Sequence, residues 1–191
     1  MNRFQKLICF NLFALLIFSC KNERPQGIVD PEKLPIPNAC EMVSDAWIKD
    51  NLKLNVKDIS IREANSDKNK FFKSCFFQWE ESADNPNAGI LIQIQTNSVY
   101  KEFPEFIAKS IESKRTDGEM MVDSSEPIKF QKFDVGLDGA YSYAMKRFYW
   151  RIDDNYLFML AFNIDMSEEE MVDKAKTIAE EVTRNFEKNM Y

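Results

Sequence analysis

Residues 141–164 read YSYAMKRFYWRIDDNYLFMLAFNI and form the most apolar part of the predicted domain. Apolar and polar side chains alternate over much of this stretch, and Asp153-Asp154-Asn155 interrupts it with three residues that favour turns. Successive side chains of a strand point to opposite faces of a sheet. The stretch therefore predicts a β-hairpin, with strands at 141–152 and 156–164.

Four shorter stretches before the hairpin predict further strands, at 58–62, 71–80, 90–95 and 128–133. In the second of them Cys75, Phe77 and Trp79 share one side, which places the Cys75 thiol toward the core. Alternation of apolar with polar residues is typical of antiparallel sheets that bury one face.

Three helices are predicted around these strands because apolar residues recur there at helical spacing. They span residues 38–52, 103–117 and 167–186. Cys40 lies on the predicted buried face of the first, and Ser167 with Glu170 forms a capping box at the start of the last. Helices at both ends of a run of strands predict an α+β fold. We expect an antiparallel sheet of about five to six strands with an N-terminal, a middle and a long C-terminal helix packed on it.

Composition excludes several classes of function. The formal net charge of −6 and the lack of a clustered basic stretch argue against nucleic acid as a partner. The chain has no histidine, which excludes Ser-His-Asp and Cys-His catalysis and His-ligated zinc or haem. Glycine-rich nucleotide-binding patterns are absent as well, so we predict no cofactor and no metal.

The first twenty residues have the layout of an export signal. Arg3 and Lys6 precede an apolar run at 7–18, which is shorter than the roughly 20 residues that a membrane span needs. The run ends in Leu16-Ile17-Phe18-Ser19-Cys20, which resembles a bacterial lipobox. The resemblance implies cleavage before Cys20 and a diacylglyceryl group with palmitate-type chains on its sulfur, and it divides the chain into three parts. These are a signal peptide at 1–19, a Pro-rich tether at 20–37 and a single domain at 38–191.

The lipobox resemblance also implies a location. Acylated Cys20 would hold the protein in a lipid bilayer, since two or more acyl chains give stable anchoring. In two-membrane bacteria, an Asp directly after the acylated cysteine resembles an inner-membrane retention signal. This chain has Lys21 at that position instead. We therefore expect a protein of the cell envelope, in the outer membrane and facing the periplasm or the cell surface.

Two cysteines remain after export and acylation, because Cys9 lies in the signal and Cys20 carries lipid. Cys40 and Cys75 are thus an even pair in an oxidising compartment, which predicts a disulfide. A redox or metal role is less favoured, because the two cysteines do not have CxxC spacing and no further thiol is left to join them.

The domain is also similar to a family of small actinobacterial lipoproteins of unknown function. The shared features are an early helical cysteine, Cys40, a second cysteine, Cys75, shortly before Trp79, the turn Gly-Leu-Asp-Gly-Ala-Tyr at 136–141, and a final helix. This resemblance implies no reaction.

Tyrosine and arginine side chains supply the candidate binding site. On an uninterrupted strand at 141–152, alternation places five of them on one face, and Tyr with Arg is typical of recognition surfaces. They are Tyr141, Tyr143, Arg147, Tyr149 and Arg151. The alternative is that this face packs under a helix, with only the polar tips of the side chains reaching water.

Acidic residues give two weaker candidates. Asp134, Asp138, Asp153 and Asp154 could offer oxygen ligands to calcium, but solvated turns explain them better, because no calcium-loop pattern is present. Glu168-Glu169-Glu170 fits the first turn of a helix. We therefore expect a binding or interaction module whose partner is an envelope protein or a small ligand, without catalytic activity. The alternatives are an accessory subunit of an envelope complex and, less favoured, a carboxylate-based hydrolase.

Overall fold

The computed structural model describes residues 27–64, 70–82, 85–122 and 124–191. The predicted signal peptide, the lipidation site Cys20 and the first part of the tether lie outside these residues. Within them, no helix combines the length and the apolar character that crossing a membrane requires.

Seven antiparallel strands form one open sheet, in the order β1-β2-β3-β7-β6-β5-β4. The α+β class is confirmed, and the sheet has more strands than the five to six expected. In chain order the strands are β1 (Ser60–Glu63), β2 (Phe72–Trp79), β3 (Ala88–Gln95), β4 (Gln131–Lys132), β5 (Asp138–Ser142), β6 (Arg147–Arg151) and β7 (Leu157–Asn163).

The additional strand arises because the stretch predicted as one strand at 141–152 is broken by a turn. Lys146 has a φ of 51°, in the left-handed region, and its amide donates to the Tyr143 carbonyl over 3.0 Å. The amide of Met145 donates to Ser142 Oγ over 3.3 Å. The chain therefore reverses over 143–146, and β5 and β6 pair as a hairpin before β6 pairs with β7.

The three predicted helices are present as α1 (Asp45–Leu52), α2 (Phe106–Thr116) and α3 (Glu168–Met190). The first is shorter than predicted, because Ser44 adopts an extended conformation and its hydroxyl caps the helix by accepting from the Trp47 amide. Cys40 therefore lies in a separate 3₁₀ turn, Ala39–Glu41, and not on the helix. The predicted cap of α3 is present, since the Ser167 hydroxyl accepts from the Glu170 amide.

The larger core lies between one face of the sheet and helices α1 and α3. Aromatic rings fill it: Trp150 stacks on Phe158 with ring centroids 5.3 Å apart, and Phe158 meets Phe186 of α3 edge to face at 5.0 Å. The Trp150 indole donates to Thr183 Oγ1 over 3.0 Å, so the polar atom of this buried ring is satisfied.

The predicted disulfide between Cys40 and Cys75 is confirmed, with a Cα–Cα distance of 5.0 Å. Cys75 is fully buried on β2, on the same face as Phe77 and Trp79. The bond joins the 3₁₀ turn at Ala39–Glu41 to the sheet, and thereby holds the N-terminal segment on the larger core.

Residues 27–37, which belong to the predicted Pro-rich tether, contact the domain. The Val29 amide donates to Asn155 Oδ1 over 2.8 Å, and Asn155 Nδ2 donates to the Gly27 carbonyl over 3.1 Å. The Tyr156 hydroxyl donates to the Pro35 carbonyl over 2.9 Å, and Pro31 is buried. This part of the predicted tether is therefore packed, because backbone groups meet buried polar side chains of the β6–β7 turn.

Candidate functional site: the uncovered face of the sheet

The two faces of the sheet are covered unequally. Helix α2 lies on the face opposite α3, where Ile107 and Ile111 are buried against Ala140 of β5 and Tyr149 of β6. Toward β1, β2 and β3 no described helix covers the same face, and Phe76 of β2 has 37% of its surface exposed, whereas Ser74 on that face is buried. An exposed apolar patch with polar residues around it is typical of a contact surface.

One row of the strand register crosses this open face. Phe76 pairs with Leu91 of β3, Leu91 pairs with Ala161 of β7, and Ala161 pairs with Arg147 of β6. On the other side Phe76 pairs with Arg62 of β1. Paired residues of antiparallel strands share a face, so these five side chains form one band, which we call the arginine row. Two arginines thus flank three apolar side chains, about 19 Å apart at a strand spacing of roughly 4.8 Å.

A shallow groove of about 220 Å³ lies along this row. Gly89 forms part of its lining, and a Cβ there would come within 2.4 Å of the Phe77 carbonyl oxygen, so only glycine fits at this position. Four members of the row line the groove, Arg62, Phe76, Leu91 and Ala161, together with the amide side chains of Gln78, Asn87 and Asn163. Gln78 Nε2 donates to Asn87 Oδ1 over 2.7 Å, and Asn163 Nδ2 donates to the Asn87 carbonyl over 2.8 Å. The groove therefore combines an apolar surface with fixed amide dipoles.

The two arginines of the row differ in their surroundings. The Arg62 guanidinium lies 5.7 Å from the centre of the Phe76 ring, and within the described parts of the chain it has no carboxylate partner. The Arg147 guanidinium lies 3.5 Å from Glu119, which also pairs with Lys114 of α2. Among the described residues, a carboxylate therefore positions the Arg147 guanidinium, whereas the Arg62 guanidinium lies beside an aromatic ring.

Tyr149 connects α2 to the sheet beside the row. The Lys114 ammonium lies 4.0 Å from the centre of its ring, and the Phe130 ring lies 5.8 Å away. Burial under α2 raises the pKa of Tyr149 to about 12, and the negative charge of Glu119 contributes in the same direction. The Tyr149 hydroxyl therefore stays protonated at neutral pH.

The structure does not bring the five predicted site residues together. Tyr141 pairs with Phe148 and stacks on its ring at 5.4 Å, which places it on the α3 side of the sheet. Its hydroxyl donates to Glu168 Oε1 over 3.1 Å, and burial raises its pKa. Tyr143 lies in the turn, where its hydroxyl donates to the Met166 carbonyl over 2.8 Å.

The other three residues lie on the opposite side, on β6. Tyr149 is buried under α2, Arg151 pairs with Asp154, and Arg147 lies in the arginine row. The prediction of one shared face was wrong because it assumed an uninterrupted strand. The turn at 143–146 reverses the chain, and the β5–β6 register then places Tyr141 on the face opposite Tyr149.

The acidic residues of the turns have separate partners. Asp138 accepts two hydrogen bonds from the Arg115 guanidinium, at 2.7 and 3.0 Å, and Asp134 pairs with Lys132. Asp153 Oδ1 accepts from the backbone amides of Asn155 and Tyr156. Among the described residues no three acids or cysteines come together as a metal site would require. The glutamates 168–170 occupy the first turn of α3, as predicted.

Sequence reasoning missed Arg62 and Phe76. A signal for Phe76 was present, because alternation along β2 places it opposite Cys75 and Phe77, on the side of Ser74 and Gln78. An aromatic residue on a polar side is a candidate for an exposed contact. Comparison with known proteins gave no match to a family model, a curated protein or a solved structure.

Proposed function

We propose that the protein is a membrane-anchored lipoprotein of the cell envelope whose domain binds another envelope protein through the arginine row. The anchor is acylated Cys20, and no catalytic activity is expected. The observation that carries the proposal is the open face itself, where Phe76 is exposed between Arg62 and Leu91 on regular strands.

The chemistry of the row favours a protein partner. Arginine and aromatic residues are enriched at the centres of protein interfaces, where a flat ring supplies contact area and a guanidinium supplies fixed donors. Sites for small molecules are usually cavities of about 300–1,000 Å³ that enclose most of the ligand. The groove along the row holds about 220 Å³ and is shallow, which suits an extended or flat protein surface better than an enclosed small molecule.

The lining of the groove also bears on catalysis. A carboxylate-based hydrolase needs two acids that converge in one concave site. The residues that line this groove carry guanidinium, amide and apolar groups, and none carries a carboxylate. The groove therefore supports binding in preference to hydrolysis.

Site-specific photo-cross-linking tests the proposal in cells that export the full-length protein. A photoactivatable phenylalanine analogue replaces Phe76 in one variant and Tyr143 in another, since both side chains are 37% exposed and lie on different surfaces. We expect a discrete cross-linked product from position 76 only. We also expect the product to weaken when Arg62→Glu is combined with the analogue at position 76, because the guanidinium that faces the partner is then lost.

Cross-linking at position 143 without a product at position 76 would contradict the arginine row and favour the hairpin surface. The runner-up function, an accessory subunit of an envelope complex, predicts a different result. Such a subunit would co-purify with its complex in a fixed stoichiometric ratio in mild detergent, whereas a binding module would be recovered mostly alone.

A further inference from the structure

One register row marks the end of the sheet at which the N-terminal segment is attached. Gln95 of β3 pairs with Leu157 of β7, Leu157 pairs with Arg151 of β6, and Arg151 pairs with Asp138 of β5. Directly beyond this row lies the β6–β7 turn, where Asn155 holds the backbone of Gly27 and Val29 through two hydrogen bonds. We call this end of the sheet the anchor end, because the chain arrives here from Cys20.

Apolar side chains are exposed at the anchor end. Val99 and Phe103 follow β3 and have 38% and 65% of their surface exposed, and Leu137 precedes β5 and is 63% exposed. Val99 and Leu137 adjoin strands that are three steps apart in the sheet, about 14 Å at the usual strand spacing. Val99 and Phe103 line a groove beside α2, and all three side chains lie in segments that adjoin the strands at the anchor end.

The fold holds these side chains outward. Buried Asn97 donates from Nδ2 to the carbonyls of Phe103 and Pro104, at 2.6 and 3.1 Å, and its Oδ1 accepts from the Val99 amide at 3.0 Å. At the other strand the Leu137 amide donates to the Arg151 carbonyl over 2.7 Å. The segments that carry these exposed apolar side chains are therefore fixed by hydrogen bonds.

The length of chain before Gly27 limits how far this end can lie from the bilayer. Seven residue steps separate Cys20 from Gly27, and even a fully extended chain covers at most about 25 Å in that number of steps. A lipid surface is consequently the nearest large apolar phase to Val99, Phe103 and Leu137. Exposed apolar and aromatic side chains at such a surface gain free energy by entering the headgroup region.

We propose that the anchor end of the sheet lies against the bilayer and that Val99, Phe103 and Leu137 enter its surface. This inference rests on the proposed acylation of Cys20. Its consequence is a fixed orientation, with the strands rising from the membrane and the arginine row about 14 Å beyond the anchor end, since Phe76 is four residues along β2 from Phe72.

Tryptophan fluorescence of the acylated full-length protein in phosphatidylcholine vesicles tests the orientation. Phe103→Trp and Leu137→Trp place an indole at the anchor end, and Tyr143→Trp places one in the β5–β6 turn at the opposite end. Since the replaced side chains are exposed, all three variants should fold. We expect lipid with brominated acyl chains to quench the first two variants and to shift their emission to shorter wavelength. The Tyr143→Trp variant should be quenched no more than the wild type, whose fluorescence comes from the native tryptophans.

The experiment distinguishes failure of the proposed orientation from failure of the proposed anchoring. If the protein floats with the vesicles and carries acyl chains, yet Phe103→Trp and Leu137→Trp are quenched no more than Tyr143→Trp, the orientation is wrong and the anchor stands. If the protein carries no acyl chain at Cys20 and does not float, the proposed anchoring fails, and the orientation fails with it.

Discussion

The Lys114 ammonium lies 4.0 Å from the centre of the Tyr149 ring and pairs at the same time with Glu119. Glu119 in turn reaches Arg147 of the arginine row. This chain of contacts fixes α2 on one half of the sheet and positions a guanidinium at the border of the other half. The contacts that hold α2 on the sheet therefore also position Arg147 at the edge of the open face.

Replacing Lys114 should loosen α2. The Lys114→Met variant keeps the length of the side chain but loses the ion pair and the cation–π contact, both of them partly buried. We expect the free energy of unfolding to fall by about 1–2 kcal/mol, measured by urea denaturation. Lys109→Met on the same helix removes a solvent-exposed pair with Glu112 and should leave the free energy of unfolding close to that of the wild type. Equal losses in the two variants would contradict the role assigned to Lys114.

Tyr149 should make stability depend on pH in the alkaline range. Its pKa is raised to about 12 in the folded protein, against about 10 in an unfolded chain. Between these values the unfolded chain releases a proton that the folded protein keeps, so the free energy of unfolding falls as the pH rises. The contribution of Tyr149 is fully present below about pH 10 and is lost by about pH 12.

The Tyr149→Phe variant isolates this effect in urea denaturation at a series of pH values from 9 upward. Its stability should fall less steeply with pH than that of the wild type. Some slope should remain, because burial also raises the pKa of Tyr156. Identical slopes in the two proteins would show that Tyr149 is not buried as described.

Thr183 should be important for the larger core because it accepts the hydrogen bond from the buried Trp150 indole. Thr183→Val preserves the shape of the side chain and leaves the indole N–H without its partner, at a cost of about 1–3 kcal/mol. Thr177→Val is the matched control, since the exposed Thr177 hydroxyl only donates to the carbonyl of Asp173 within α3. A control that loses as much stability as Thr183→Val would argue against this hydrogen bond.

The features that could be predicted from sequence are those that local pattern determines. Alternation around Cys75 and Phe77, the helix cap at Ser167 and the apolar stripe of α3 each depend on neighbouring residues alone, and each is present in the structure. The disulfide was predictable for a different reason, because the predicted signal removal and acylation leave Cys75 as the one partner for Cys40.

The features that escaped prediction depend on contacts between distant strands. The turn at 143–146 contains no Gly, Pro, Asn or Asp. Lys146 adopts a positive φ, which is uncommon for residues other than glycine and could not be predicted from its type. The arginine row joins residues from five strands that register alone brings together, and the extent of the open face depends on where α2 packs. Neither is encoded in any short stretch of sequence.

The disulfide should contribute substantially to stability. Cys40 and Cys75 are 35 residues apart, and closing a loop of that size restricts the unfolded chain by about 3–4 kcal/mol in the chain-entropy model. Cys40→Ser combined with Cys75→Ser should lower the free energy of unfolding by about this amount. The wild type should lose a similar amount under reducing conditions, whereas the double variant should not respond to reductant. A double variant as stable as the oxidised wild type would contradict the prediction.

Our central proposal is that lipid on Cys20 holds the domain in the envelope, and intact-mass spectrometry of the protein extracted from membranes of an exporting bacterium tests it most directly. The account predicts a chain that begins at Cys20 and carries the additional mass of a diacylglyceryl group, and a Cys20→Ser variant that lacks this mass and is released from the membrane fraction. A wild-type protein that begins at another residue, or that begins at Cys20 without acyl chains, would contradict the account.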